Sequence, residues 1–442
     1  MNSPSIKERE RCIGPNAFNF DVVMIPLQLI IVFFTIYYFV VSWFGLFGKM
    51  KETKQFPEKS TFALIVCAHN EQQVIAQLVE NLKQLNYSEK LYDIFVVADN
   101  CVDKTAEVAR NAGAIVYERF SETGKGKGFA MDWMFQRLFG LERQYDAVCI
   151  FDADNLVHPD FLKIMNNHLC SGERLVQGYL DSKNPEDTWV SGMFAISFWI
   201  VNHIWHLAKY NIGLSCVLGG TGMCIDTKLL KQYGWGATCL TEDMEFTMKA
   251  LMENIPTTWA HDAVIYDEKP LTFKAAWNQR KRWAQGHFDV ANRYIPKMLW
   301  KGITERNIVV LDGMINLIQP YFLLVSTFFV ICTYIYNLVP FYTNILYEVM
   351  PIQVWQIIGV GQYIFPVAVL WKIRASFKSW LYLLAYPIFI YSWIPIVMLG
   401  FLHRNEHEWC HTLHTRSISF SDVIIPEDVV QMGPKQVAFR KK

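Results

Sequence analysis

Ala147-Val148-Cys149-Ile150-Phe151-Asp152-Ala153-Asp154 is the stretch on which the reading of this chain turns. A short apolar run has the length of one buried strand and passes straight into two carboxylates one residue apart. A sheet built around it presents acid at its carboxyl end. Paired carboxylates of this kind are hard oxygen donors that bind a divalent cation and leave coordination positions open for a substrate diphosphate. Mg²⁺ or Mn²⁺ held there neutralises and orients a departing nucleoside diphosphate. Because the same three residues also occur as a plain solvated turn, their neighbourhood has to decide.

Upstream, β-branched runs alternate with helical segments. Thr61–Cys67, Ile94–Ala98 and Ala114–Tyr117 read as strands, and Gln72–Leu85 and Lys104–Asn111 as helices, the pattern of an α/β fold with a parallel sheet. The strands end in His69-Asn70-Glu71, in Asp99-Asn100 and in Asp152-Ala153-Asp154. Ligands of open α/β sheets bind at the carboxyl ends of strands, so the three polar clusters are expected to meet in one crevice. Gly124-Lys125-Gly126-Lys127-Gly128 lacks the spacing of a P-loop, which argues against a nucleoside triphosphatase. Its lysines still suit a diphosphate as point charges, although a surface loop reads the same way.

Downstream, Thr241-Glu242-Asp243 opens a helix over Met244–Glu253. Taken alone, Thr241 is an N-cap and the acids complement the helix dipole. A carboxylate beside the crevice also suits a general base that takes a proton from an attacking sugar hydroxyl. Gln279-Arg280-Lys281-Arg282-Trp283 lies in the aromatic and basic segment Thr272–Trp300. On a helix Gln279, Arg282 and Trp283 share a face, where arginine pairs with a diphosphate and an indole covers a pyranose ring. The other face reads as a basic amphipathic helix on a membrane surface.

The chain has 442 residues, 52% of them hydrophobic, with 41 Lys+Arg against 41 Asp+Glu. The hydrophobic content puts a membrane class first, and the charge balance excludes the charge excess of a nucleic-acid binder. Val22–Phe47, Gly313–Tyr347, Val349–Trp371 and Ser379–Leu402 are uncharged and long enough to cross a bilayer. The first is expected to stay as an anchor, since no small-residue cleavage site follows it. Lys49, Lys51, Lys54 and Lys59 after it, and the loop Lys372, Arg374 and Lys378, place the intervening globular part in the cytosol. Against this, three simple crossings after the globular part put outside a tail that carries Arg404, Arg416, Lys435, Arg440, Lys441 and Lys442. Pro320 and Pro387 are therefore read as interruptions of their segments, which favours a cytosolic tail. The ten cysteines show neither CxxC pairs nor a disulfide framework and are expected to be reduced. His403, His407, His411 and His414 read as one face of an interfacial helix sooner than as metal ligands.

Asp99, Asp152 with Asp154, Thr241-Glu242-Asp243 and Gln279-x-x-Arg282-Trp283, in this order between membrane segments, resemble the processive family 2 glycosyltransferases, which include the cellulose, hyaluronan, chitin and poly-N-acetylglucosamine synthases. The resemblance covers roughly Thr61–Phe288 and the membrane layout. It implies an α/β GT-A domain inserted between transmembrane helices, with amphipathic interface helices. The implied division is an anchor at 1–56, the cytosolic GT-A domain at 57–271, interface helices at 272–311, channel helices at 312–402 and a tail at 403–442.

Residue by residue, the resemblance implies that Asp99, with Glu71 nearby, holds uridine, while Lys127, Asp152 and Arg282 approach the diphosphate. Asp154, assisted by Asp152, binds Mg²⁺ or Mn²⁺, and Asp243 is the catalytic base. Glu242, Gln279, Trp283, Gly220 and Thr221 face the acceptor. The implied activity is an inverting β-glycosyl transfer from UDP-GlcNAc or UDP-Glc onto a growing polysaccharide, passed through the enzyme's own helices. The location is the plasma membrane, with the lipid bilayer and a small accessory or export subunit as partners and no nucleic acid. Unlike the bacterial cellulose synthases, the tail is too short for a c-di-GMP module. A non-processive transferase making a glycolipid and an inactive scaffold subunit of an export complex stand as alternatives. A scaffold has no reason to keep Asp154, Asp243 and Arg282 together.

Overall fold

Phe62–Ala68 (β1) is Phe-Ala-Leu-Ile-Val-Cys-Ala, buried at every position except the half-buried Cys67. A strand apolar on both faces is stable only between two layers of helices. The computed structural model supplies both, and describes residues 15–48, 51, 53–236, 239–337, 351–406, 418 and 420. After helix α1 (Pro15–Leu46) and β1 come α2 (Ile75–Leu82), β2 (Tyr92–Asp99), α3 (Thr105–Asn111), β3 (Ile115–Arg119), α4 (Lys127–Phe139), β4 (Ala147–Asp152), β5 (Leu156–Val157) and α5 (Phe161–Cys170). Then follow β6 (Leu175–Ser182), α6 (Trp189–Ile200), a π-helical turn (Val201–His206), α7 (Leu207–Ile212), β7 (Met223–Asp226), α8 (Thr227–Tyr233), α9 (Glu242–Met252) and β8 (Thr258–Asp267).

The strand order is β3-β2-β1-β4-β7-β6-β8-β5. Leu64, Val66, Cys149 and Phe151 face one layer with Leu78 of α2, Ala109 of α3 and Phe161 of α5. Ile65, Val148 and Ile150 face the other, with Met134 of α4, Leu230 of α8 and Phe246 of α9. β1 to β4 run parallel, as the alternating pattern predicts. The second half of the sheet differs, because β7 runs against both β4 and β6, and β5 against β8. Ahead of β7, Gly220 (φ 82°) and Gly222 (φ 59°) take left-handed conformations that turn the chain at the strand's start. A Cβ on Gly222 would lie 1.6 Å from Ile265 Cδ1, so the turn is also too tight for any side chain. The predicted helix Gln72–Leu85 is shorter, at Ile75–Leu82, because residues 72–74 form a turn off Glu71.

The remaining elements are α10 (Phe273–Thr304), α11 (Ile308–Asn337), α12 (Ile352–Lys372), α13 (Phe377–Tyr382), α14 (Tyr386–Tyr391) and α15 (Trp393–Leu402). Met24–Leu46, Ile308–Ile335 and Phe377–Leu402 are long and apolar enough to cross a membrane, by length and composition; the apolar run of α12 is the shorter Tyr363–Lys372. The last of the three candidate spans is broken around Leu383–Ala385 and at Ser392, next to Pro387 as expected. Pro320 does not interrupt α11, contrary to the sequence reading. Proline leaves the carbonyl four residues back without its helical donor. Here that carbonyl, of Asn316, accepts a bond from His287 Nε2 at 3.1 Å. Lys7, Arg9, Arg11, Lys49, the tail beyond residue 406 apart from residues 418 and 420 but including His407, His411 and His414, and part of Gly313–Tyr347 lie outside the described residues. Every cysteine among the described residues is a free thiol.

Helix α10 ties the α/β layers to the apolar helices through two glycines. A Cβ on Gly286 would stand 2.6 Å from Thr241 Oγ1, and one on Gly400 of α15 would stand 2.6 Å from Ala284 Cβ. Backbone therefore meets backbone on both sides of α10, next to Thr241-Glu242-Asp243.

Candidate active site

β2, β1 and β4 are neighbours in the sheet, so their carboxyl ends bring the three polar clusters side by side. The chain leaves β1 and β2 through Asn70 (φ 56°) and Asn100 (φ 50°), residues that tolerate the left-handed region better than most. His69 Nδ1 lies 2.7 Å from the Asp99 carbonyl, and the Glu71 amide donates to Thr105 Oγ1 at 2.8 Å. Glu71 is buried.

Asp99 is buried and already engaged. Arg119 Nη1 donates to Asp99 Oδ1 at 2.5 Å, and Asn100 Nδ2 donates to the same oxygen at 3.1 Å. Arg119 Nη2 donates to the Gly124 carbonyl at 2.8 Å. One arginine thus fastens the β2 carboxylate to the glycine–lysine loop. Nothing local in the sequence marks Arg119, whose partners lie on another strand and in a loop.

The loop enters α4 through Gly126 (φ 113°), which puts Lys127 at the first position of that helix. Lys127 Nζ donates to Asp152 Oδ1 and, at 2.6 Å, to the Gly220 carbonyl. Burial alone would depress this ammonium, but Asp152 and Glu242 outweigh it and hold its pKa above the ordinary lysine value. Cys67, at the end of β1 nearby, has its thiol pushed up to about 12 by burial and is inert.

Behind this pair, the Asp152 amide donates to Asn155 Oδ1 at 3.0 Å and to Thr221 Oγ1 at 3.1 Å, and Thr221 Oγ1 also bonds Asn155 Oδ1. Gln177 Nε2 donates to the Thr221 carbonyl at 2.9 Å. Thr221 therefore braces the turn that carries the two acids. Asp154 is buried, with Oδ2 accepting from the Glu268 amide at 2.8 Å and Oδ1 from Asn155 Nδ2 at 3.3 Å.

Asp243 closes the cleft from α9. A Cβ on Gly220 would be 3.3 Å from Asp243 Oδ2, so the bare glycine, held by Lys127 through its carbonyl, faces this carboxylate. Asp243 Oδ1 accepts from the Met244 amide at 2.8 Å. Desolvation raises the Asp243 carboxyl to about 6 and, with the neighbouring Asp243 charge, raises Glu242 to about 7. Thr241 precedes α9 but makes no side-chain cap; its hydroxyl contacts Cys239 Sγ at 3.7 Å and packs on Gly286.

From α10, Gln279 and Arg282 are half-buried, and Gln279 Oε1 is buried with no hydrogen-bond partner among the described residues. Trp283 packs edge-on against Phe194 and Phe198 of α6, with centroids 6.1 and 6.4 Å away. Between them Arg280 is fully buried, donating to the Phe389 carbonyl at 3.3 Å and to Ser392 Oγ at 2.9 Å, where α14 gives way to α15. The helix end supplies the negative partner that no carboxylate among the described residues does. Arg280 thereby pins the Gln279–Trp283 helix to the broken apolar segment, a role its motif does not reveal.

Among the described residues no three His, Cys, Asp or Glu side chains form a ready metal cluster. Two carboxylates without a third protein ligand are what a Mg²⁺-type site needs when water and substrate phosphate complete the shell, so Asp154 with Asp152 fits such an ion.

The profile of the family "Glycosyltransferase like family 2" matches residues 57–286, just over half of the chain. The probable glycosyltransferase YdaM of Bacillus subtilis is 25% identical over 254 residues, which cover 55% of this chain and 58% of that protein. The beta-monoglucosyldiacylglycerol synthase of Nostoc sp. is 26% identical over 239 residues, covering 51% and 48%. The poly-beta-1,6-N-acetyl-D-glucosamine synthase of Staphylococcus epidermidis is 22% identical over 274 residues, covering 59% and 65%. The chain spans about half the length of the first two of these relatives. In fold it resembles the mannosyltransferase PcManGT from Pyrobaculum calidifontis, solved with GDP-Man and Mn²⁺. The TM-score is 0.54 at 16% identity, covering 80% of this chain and 98% of that one. The mixed sheet with acids at its carboxyl edge is thus the GT-A fold, and the protein belongs to the glycosyltransferase-like family 2.

Proposed function

We propose that the protein is a membrane-bound inverting hexosyltransferase that uses a UDP-sugar, UDP-GlcNAc or UDP-Glc, to extend a polysaccharide. The observation that carries this is the meeting of Asp243 with the Lys127–Asp152 pair across Gly220. An acceptor hydroxyl at Asp243 gives up its proton to that carboxylate while its oxygen bonds to the sugar C1. The C1–O bond to the diphosphate breaks and UDP leaves on the Lys127, Asp152 and Arg282 side. One displacement inverts C1. Asp99 and Glu71 hold the uridine, and Gln279, whose Oε1 has no partner among the described residues, holds the acceptor with Trp283, Glu242, Gly220 and the turn that Thr221 braces. A divalent ion bound at Asp154 and Asp152 would offset diphosphate charge. The likeness to poly-beta-1,6-N-acetyl-D-glucosamine synthase supports a polymer product. The likeness to beta-monoglucosyldiacylglycerol synthase supports a second reading, transfer of one sugar to a lipid. Product length decides: purified enzyme in lipid, given labelled UDP-sugars, makes a ladder in the first case and one glycolipid band in the second.

Two further outcomes follow from the geometry. A base must be deprotonated to act, and Asp243 sits at about 6. Hence kcat is expected to fall about tenfold per pH unit below that value and to level off above pH 7 to 8. An acid limb near pH 4 would mean a different base. EDTA is expected to abolish transfer and Mg²⁺ or Mn²⁺ to restore it.

Arg119→Met removes two bonds and leaves Asp99 buried without its cation. Donor KM is expected to rise about tenfold or more with kcat within about threefold, since an unpaired buried acceptor costs on the order of 1–3 kcal/mol. A fall in kcat at unchanged KM contradicts this placement of the nucleotide.

A further inference from the structure

We propose that the junction between α12 and α13 binds the headgroup of an anionic phospholipid. This rests on the membrane reading above. Three apolar segments end there together: Met24–Leu46, the run Tyr363–Lys372, and Phe377–Leu402. Lys372 Nζ donates to the Gly45 carbonyl at 3.1 Å, which brings the end of the first segment to the junction. A cavity of about 450 Å³ lies among Leu370, Trp371, Lys372, Arg374 and Trp380. That volume is within the roughly 300–1,000 Å³ of small-molecule sites. Its lining combines two cations with two indoles over an aliphatic side chain, the chemistry of the boundary between headgroups and acyl chains. Trp371 and Phe377 beside it are 79% and 76% exposed, as residues that face lipid are.

Arg374 makes the case specific. Lys378 nearby is offset by Glu186 at 3.6 Å, whereas Arg374 makes no ion pair among the described residues. Its backbone is left-handed (φ 49°) just past the end of α12, a place where glycine or asparagine costs least. An arginine kept in that conformation beside a cavity points to its charge being used. A zwitterionic headgroup brings its own cation to such a site; a phosphoglycerol headgroup brings only the anion.

The test is native mass spectrometry of the full chain ejected from nanodiscs of equal phosphatidylcholine and phosphatidylglycerol. The wild type is expected to retain phosphatidylglycerol severalfold above its bulk share. Arg374→Gln is expected to cut that preference about fivefold, and Arg374→Gly, which relieves the backbone while removing the charge, by the same factor. Lys378→Gln is expected to leave it unchanged. A wild-type ratio equal to bulk, or one that both Arg374 variants keep, overturns the site alone. A chain that does not enter nanodiscs at all overturns the membrane reading and the site with it.

Discussion

Asp243→Asn is expected to lower kcat by about 10²- to 10⁴-fold, the usual worth of a positioned general base, and to leave the UDP dissociation constant within about threefold. The substitution is nearly isosteric. The side-chain oxygen that accepts the Met244 amide at 2.8 Å survives as the asparagine carbonyl, so α9 keeps its start. What disappears is the capacity to take a proton beside Gly220. Glu242, raised to about 7, stands next in the chain. Its replacement by glutamine removes a group already largely protonated where Asp243 titrates and is expected to leave the acid limb of the kcat profile in place, which separates the two acids by role. Turnover retained by purified Asp243→Asn in lipid would take this carboxylate out of the chemistry.

Lys209→Met is expected to cost about 3–5 kcal/mol of stability, because it strands a buried charge. Lys209 of α7 is fully buried and Asp312 of α11 nearly so, their Nζ and Oδ2 2.8 Å apart. Tyr37 of α1 donates its hydroxyl to the same carboxylate, and the Trp205 ring lies 4.5 Å from Nζ. Two candidate spans and helix α7 thus meet at one ion pair. Lys209→Met with Asp312→Leu is expected to recover most of the loss, since similar-sized apolar groups replace buried pairs at little cost, and adding Tyr37→Phe removes the last orphan. Thermal midpoints in detergent read the difference. An unchanged midpoint in the single variant contradicts the pair's role as the clasp between layers.

Much of the parallel half and the acids of the site was legible in the residues, because each signal is local. An apolar strand followed at once by Asp152 and Asp154, or a helix opened by Glu242 and Asp243, needs no knowledge of the rest of the chain. What escaped depends on distant partners. Arg119 matters through Asp99 and Gly124, and Gly286 through contact with Thr241 across two helices. Arg280 looked like one more basic residue in a basic segment, yet it sits against the end of a helix more than a hundred residues away. Pro320 misled for the same reason: the donor that rescues its helix comes from His287 on another element. The antiparallel β7 was hidden because two left-handed glycines, and no change in hydrophobic pattern, set its direction.

In the proposed reaction one displacement occurs at the sugar carbon, with Asp243 taking the proton and the diphosphate leaving past Lys127. The configuration of the newly made bond tests this most directly. Given a UDP-α-sugar, the product examined by proton NMR is predicted to carry a β-linkage, seen as the large H1–H2 coupling of a trans-diaxial pair. An α-linked product would contradict it, since retention requires a second displacement or a front-side reaction.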